Sequence, residues 1–458
     1  MSMRQSSIQS LRSARAQEGR RLRQQIPRSV HANWMVRKKG RDPVAILAET
    51  DRGRISTLVP LRYARMLQSP FAFLRGSASV MAFDLAQGPT TGIRVQACGD
   101  CHLLNFGAFA TPERHVIFDI NDFDETLPAP WEWDIKRLAA SIMVAGRYRG
   151  FAERQCSEAV LTAVRAYREN LAEYSTWPEL QVWYARIDAE QMVAKATKTK
   201  PSLAGADGDA GVAANMSARL LPKLTEVVGG KRRIRDEPPL VYHPRREKAF
   251  SREVRAAIER YRHSLPAERR ALVDHYDVVD VAIKVVGVGS VGTFCAIALL
   301  QADVDDSLFL QLKQARSSVL EPYAGKSAYR NQGERVVIGQ RLMQSASDMF
   351  LGWSRIGKPP VYFYFLQLRD MKVSVNLDTL PFAGFINYSH YCGWAVARAH
   401  AKTGDAALIS GYLGRGDAFD KALGRFARAY ADQTDKDHAT LVKAVESGRI
   451  RIAEKDSA

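Results

Sequence analysis

The sequence predicts an α+β protein of two lobes, one helical and one built on an antiparallel β-sheet. Three observations predict it. Residues 277–313 read as consecutive β-type runs separated by a glycine-rich turn and an acidic turn. Residues 71–85, 133–147, 157–174, 251–273, 390–403 and 417–447 carry apolar residues at helical spacing. Residues 96–138 crowd acids into short turns bounded by apolar strands. With 458 residues, 46% hydrophobic and 25% charged, the chain has an ordinary globular composition and is long enough for a large two-lobed enzyme.

Taken in order, residues 1–40 hold ten Arg/Lys against one acid and read as a basic arm, flexible or helical. The arm, extended to residue 58, carries part of the +17 net charge, which favours an anionic partner: nucleotide, nucleic acid or membrane surface. Residues 59–270 form the expected helical lobe, interrupted at Ser69-Pro70. Within it, 195–217 lose periodicity and read as a mobile loop, and 231–239 as a basic connector. Residues 271–385 form the expected β-rich lobe, and 386–458 are helices that close back onto the helical lobe. The five cysteines are too few and too scattered for a disulfide framework or a zinc finger, which fits a reducing cytoplasm. The longest uncharged apolar run, 285–300, is too short to span a bilayer, and no signal-peptide core is visible.

The chemistry concentrates in 96–138. HVIFDI reads as a strand, NFGAF as its partner and TPER as the turn between them. Asp100 and Asn105 precede this hairpin and Asp122 follows it, so a closed hairpin brings their oxygens to one point. Such oxygens suit Mg²⁺, which shares its shell with water and phosphate. The five-residue step from Asp100 to Asn105, followed by Asp122-Phe123-Asp124, resembles the catalytic and metal loops of protein-kinase-like enzymes. GDCHLLN is most similar to the aminoglycoside and choline phosphotransferase branch, with Cys98 where that branch usually has histidine. Asp134 resembles the helix aspartate that braces the catalytic loop there. His102 reads either as a phosphate or metal contact or as a packed loop histidine.

Gly287, Gly289 and Gly292 fit GxGxxG, which has two readings. In a dinucleotide-binding oxidoreductase, a strand enters the turn, a helix leaves it and an acid such as Asp303 or Asp305 follows. In a kinase-like lobe, the glycines and Ser290 join two strands over the nucleotide phosphates, and the next strand carries a lysine. LFLQLK ends in Lys313, and the turn ADVDDS suits a hairpin. A helix expected from 332 to 353 offers Glu334 as the ion-pair partner of Lys313, with Glu321 as fallback, and VYFYFLQLRDMK resembles a lobe-connecting hinge whose Gln367 and Leu368 backbone faces adenine. HYCGWAVARAHAKT resembles the helix before a catalytic loop, but Ser410 stands where a metal-binding asparagine belongs, so Asp405 is not a second catalytic aspartate.

Kinase-like enzymes place the glycines and lysine before the catalytic loop; here they follow it, which implies a circular permutation. SPFAFLRG, GDCHLLNFG, NDFDE, VGVGSVGT and LQLKQA together resemble the bacterial family known as domain of unknown function 2252, over roughly residues 25–432. The combined resemblance implies a two-lobed, circularly permuted kinase-like fold that uses ATP and Mg²⁺ to phosphorylate a small-molecule hydroxyl. It assigns Asp100 to the acceptor, Asn105, Asp122 and Asp124 to metal, and Lys313 with Glu334 to the phosphates. The alternatives are AMP transfer or nucleotide binding without catalysis on the same fold, an NAD-binding oxidoreductase, and nucleic-acid binding through the arm.

Overall fold

The structure, a computed structural model, describes residues 2–34, 41–189, 221–285, 287–368 and 375–453. It is a mixed α+β chain, 52% helix and 17% strand, with small antiparallel sheets. The 195–217 segment and the last residues of the expected hinge, 369–372, lie outside the described residues.

The chain starts with α1 (Ser2–Gln25), α2 (Pro43–Glu49), α3 (Val59–Met66), α4 (Pro70–Gly76) and α5 (Ala78–Leu85). Asp42 and Ser69 cap α2 and α4 by accepting from backbone N–H groups, and a proline follows each cap at the first helical position. The single helix expected over 71–85 is two, because Ser77 leaves helical geometry at φ −116° and ψ 38°. Then come β1 (Arg94–Ala97), β2 (Phe106–Ala110), β3 (Val116–Ile120) and β4 (Leu127–Pro130), paired as two antiparallel ribbons, β1–β4 and β2–β3. Next are α6 (Trp131–Tyr148), α7 (Glu153–Tyr174), α8 (Glu179–Tyr184), the ribbon of β5 (Thr225–Val228) with β6 (Lys231–Ile234), β7 (Val241–Tyr242), α9 (Glu247–Arg262) and α10 (Ala267–Val273).

The larger sheet follows. It adds β8 (Asp277–Lys284), β9 (Cys295–Gln301), β10 (Ser307–Ala315), β11 (Gly352–Ile356) and β12 (Val361–Gln367) to β7. Its order is β11-β12-β10-β9-β8-β7, antiparallel at every step. The ADVDDS turn closes a hairpin, with Ala302 N donating to Asp306 O at 3.0 Å. Helix α9 packs Val254, Ile258 and Tyr261 beneath this sheet, and the Tyr261 ring stacks on Phe365 at 4.3 Å. Residues 247–262 therefore pack with the sheet, ahead of the expected lobe boundary at 270.

Between β10 and β11 lie α11 (Glu321–Ala324) and α12 (Gln332–Met343). Helix α12 stops ten residues short of the expected end. The polar stretch after it makes better bonds elsewhere: Ser345 N and Oγ donate to Asp119 at 2.9 and 3.0 Å, and Asp348 accepts from Gln367 N at 2.5 Å. The chain closes with α13 (Phe382–Thr403), α14 (Ala406–Leu413) and α15 (Ala418–Glu446), which pack against α6 and α7 in the largest core. Trp131 stacks on Tyr167 at 5.7 Å at its centre.

The described part of the basic arm is helical and docked. Gly19 and Gly411 let α1 and α14 touch backbone to backbone; a Cβ on Gly411 would meet Ala16 O at 2.2 Å. Arg23 Nε donates to Tyr412 O at 2.7 Å and Arg28 Nη1 to Leu413 O at 2.6 Å, satisfying carbonyls at the end of α14. Among the described residues no helix is long and apolar enough to cross a membrane. All five cysteines are free and buried.

Candidate active site

The loop from β1 to β2 carries Asp100 and Asn105 and is fixed from below. Asp134, in the first turn of α6, accepts from Cys98 N at 2.6 Å and Gly99 N at 3.0 Å, and His400 of α13 stands 3.3 Å from it. Cys98 lies fully buried with its Sγ 3.3 Å from Asp122 O, joining the two acidic loops. A 3₁₀ turn (Leu103–Asn105) follows, in which His102 Nδ1 accepts from Leu104 N at 3.2 Å. Burial, Arg137 and Arg75 hold the His102 pKa well below its ordinary value, so it is a neutral, packed loop residue. Asn105 Nδ2 donates to Asp100 O at 2.6 Å, which leaves its Oδ1 as the available ligand atom.

The hairpin closes as its sequence requires. Phe106 faces Ile120 in register, and Asn121 N donates to Asn105 O at 2.8 Å, bringing Asp122 beside Asn105. Asp124 N then donates to Asp122 Oδ1 at 3.2 Å. Lys313, on β10 between Cys295 and Tyr364, reaches across from the larger sheet to within 3.8 Å of Asp124 Oδ2 and 5.5 Å of the Tyr364 ring centre. Tyr364 donates its hydroxyl to the other Asp124 oxygen.

Each charge is shifted by a nameable neighbour. Burial and then Asp122 push the Asp124 carboxyl up, against Lys313 and Tyr364. Burial opposes the Lys313 ammonium, but Asp122, Asp124 and Tyr364 outweigh it and hold its pKa well above normal. Asp100 is raised by burial, with Arg137 pulling the other way from an Nε–Oδ1 contact of 2.6 Å.

Gly287 and Gly292 adopt φ +71° and +83°, as a tight turn between β8 and β9 demands. The turn is held by the first third of the chain: Ile55 N donates to Gly292 O at 2.7 Å, Arg54 Nη1 to Val291 O at 2.6 Å, and Arg65 to Gly287 O. It roofs two adjoining cavities. The first, about 470 Å³, is lined by Lys313, Gln367, Leu368 and Asp348. The second is lined by Asp100, His102, Asp124 and Gly289. Asn105, Asp122, Gly287 and Ser290 line both.

Asp100, Asn105, Asp122, Asp124, Gly287, Gly289, Ser290, Lys313, Gln367 and Leu368 thus line two cavities that share the walls of Asn105, Asp122, Gly287 and Ser290. Gly292 stands behind the turn, packed on the Arg54 side chain. One of the two readings of the glycines is not formed, and one expectation is corrected. The glycines join antiparallel strands, and no helix leaves Gly292, so the strand–turn–helix unit of a dinucleotide site is not formed here. Glu334 makes no ion pair with Lys313; Asp124 takes that place. Consecutive helical residues point in different directions, and Arg335 occupies the inward face of α12, donating to Thr126 O at 2.6 Å and Asp124 O at 2.8 Å. Glu321 instead accepts from Gln332 at 3.5 Å. The N–H groups of Gln367 and Leu368 are already given to Asp348 and Phe309 O.

The sequence reading passed over Arg137, Tyr364 and Arg335. Arg137 had a visible signal: it lies about one helical turn after Asp134, on the face that Asp134 shares. Tyr364 and Arg335 had none, since their partners are more than 200 residues away.

No curated protein and no solved structure matches the chain. Residues 54–444, which contain every loop of this site, match the family described as "Uncharacterized protein conserved in bacteria (DUF2252)". That span is most of the chain, and the protein is a member of this bacterial family.

Proposed function

We propose that this protein is an ATP- and Mg²⁺-dependent phosphotransferase of circularly permuted kinase-like fold, acting on a hydroxyl of a small molecule. One observation carries the reading. Lys313 of the antiparallel sheet pairs with Asp124 at 3.8 Å, under a glycine turn and beside Asp100, Asn105 and Asp122, although the two halves come from distant parts of the chain. Lysine, glycine turn and carboxylates around one cavity are the parts that phosphoryl transfer needs. Their order along the chain is reversed, and a circular permutation accounts for it.

The donor set fits magnesium. Asp122, Asp124 and the Asn105 amide are all oxygen ligands, and the neighbouring Asp122 charge already raises the Asp124 carboxyl, a crowding that a divalent cation relieves. When bound, Mg²⁺ supplies charge neutralisation to the phosphate oxygens. The chain's own groups do the rest. Lys313 offsets phosphate charge on the nucleotide side. Gly287 and Ser290 line both cavities, where backbone N–H groups of such a turn would meet the phosphates. Asp100, anchored through Oδ1 by Arg137, orients the acceptor hydroxyl and takes its proton; its raised pKa moves it toward the working range of a base.

The test is calorimetric binding of ATP to the purified chain with and without Mg²⁺, followed by transfer to a metabolite panel with product analysis. Magnesium-dependent binding with ADP as product is the expected result. Release of pyrophosphate would assign AMP transfer instead, and no nucleotide binding in Mg²⁺ would overturn the reading.

A further inference from the structure

The second cavity has a lining that phosphoryl transfer alone does not require. Arg54, Arg62, Arg75 and Arg316 all border it, and Lys313 does not. Three of them are partly committed to the protein. Arg62 pairs with Asp51 at 2.6 Å and donates to Gly76 O at 3.2 Å. Arg316 donates to Thr50 O at 2.7 Å, and Arg54 to Val291 O at 2.6 Å and Thr50 O at 3.1 Å.

Arg75 differs. Among the described residues it makes no hydrogen bond, and its Nε is buried without a partner. Its charge is nonetheless close enough to Asp100 to be felt there. The break between α4 and α5 explains its placement. Arg75 lies in the last turn of α4, the chain turns at Ser77, and the first turn of α5, Ala78 and Ser79, lines the same cavity. A helix start and a guanidinium together form an anion-binding arrangement.

Asp100, Asp122, Asp124 and Glu125 line this cavity too, but none of them bonds Arg75. Asp100 is held by Arg137, Asp124 by Lys313 and Tyr364, and Glu125 accepts from Val319 N at 2.7 Å, while Asp51 behind them is held by Arg62 and Tyr63. The positive groups repel one another: burial, then Arg62 and Arg316, push Arg54 down to about 9. An oxyanion between them would relieve this repulsion and give Arg75 the partner it lacks.

We propose that the acceptor is itself a phosphorylated small molecule, and that Arg75, with Arg54 and the start of α5, holds its phosphate while its hydroxyl faces Asp100. This deepens the phosphotransferase reading and rests on it for the role of the bound molecule. A tetrahedral group suits a site whose donors come from α4, α5 and the segment before α3, since they approach from different directions. Arg75 is a binding residue here; Asp100 remains the group that meets the reacting hydroxyl.

The test titrates inorganic phosphate into the full chain by calorimetry, in Mg²⁺, with and without a saturating non-hydrolysable ATP analogue. One phosphate is expected to bind in both conditions. Arg75→Met should weaken it by roughly tenfold or more, the usual worth of a charge-assisted contact, and Arg75→Lys by less. Arg75 has no hydrogen bond to lose within the protein, so both variants should keep their circular dichroism. Lys313→Met should lose the nucleotide analogue and keep the phosphate. Phosphate that binds only without the analogue, or that is lost with Lys313→Met and kept with Arg75→Met, belongs to the nucleotide cavity and overturns the proposal. Arg75-dependent phosphate binding in a protein that takes no nucleotide would support the anion pocket and overturn the phosphotransferase reading.

Discussion

Asp100 and Asp122 lie in the same acidic stretch, yet their surroundings assign them opposite tests. Asp122 lines both cavities and adds its charge to Lys313 and Asp124, so under the proposed function it would serve the nucleotide and its metal. Asp122→Asn should weaken ATP binding in Mg²⁺ by about tenfold or more and change binding without Mg²⁺ far less. Unchanged calorimetric affinity in Mg²⁺ would count against its metal role. Asp100 lines only the second cavity and rests on buried Arg137. Asp100→Asn keeps a hydrogen-bond acceptor for that guanidinium and avoids an orphaned buried cation, which alanine would create. It should bind nucleotide normally and lose transfer by roughly 10²–10⁴-fold. Turnover near the wild-type level would make Asp100 a structural residue.

At the scale of elements, the N-terminal segment is where sequence and structure part most clearly. The sequence reads it as a basic arm, with nucleic-acid binding as one alternative; Arg23 and Arg28 serve the end of α14, Arg41 pairs with Asp84 at 2.7 Å and Asp437 at 2.5 Å, and Arg15, Arg20 and Arg21 stay exposed. Gly411→Leu should separate α1 from α14 and lower stability by about 1–3 kcal/mol, the usual effect of overpacking, with the melting temperature as the readout. The same segment should respond to acid. His31 is buried, 2.8 Å from the Tyr412 hydroxyl, and burial with the nearby Lys136 charge pushes it down to about 3. Its folded pKa is below the ordinary value of 6.5, so its contribution is full above that pH and is lost as pH falls toward 3. Chemical denaturation from pH 7 to pH 4 should show wild type losing up to roughly 1.4 kcal/mol per pH unit more than His31→Gln. Parallel curves would mean that His31 does not link docking to pH.

For the whole molecule, the sheet and the helices meet at the Lys313–Asp124 pair, so a ligand that binds both sides should hold them together. ATP with Mg²⁺ at about a hundred times its Kd should stabilise wild type by about 2.7 kcal/mol. Lys313→Met should lose most of that gain while its ligand-free melting temperature changes little, because the pair is partly solvated and such pairs contribute modestly. An equal ligand-induced shift in the variant would place the nucleotide elsewhere.

Local signals made several parts legible without any structure. The hairpin 106–120 follows from β-branched and aromatic runs around a turn, and it alone sets Asn105 beside Asp122. The antiparallel meander of β8, β9 and β10 follows from its apolar runs and the two turns between them. The brace from Asp134 was implied by resemblance to the helix aspartate of the phosphotransferase branch, and Asp134 does accept from Cys98 N. What the sequence could not decide was long-range. Whether α12 turned Glu334 or Arg335 inward depended on Thr126 and Asp124, far upstream, and the helix periodicity was equally satisfied by either. Whether α12 continued past Met343 depended on Asp119 offering a better bond to Ser345 than another helical turn could. Propensity and period act over a few residues, so they determined the strands, the turns and the loop chemistry. Which charge meets which across the cleft was decided by packing between segments hundreds of residues apart, and only the folded chain contains that information.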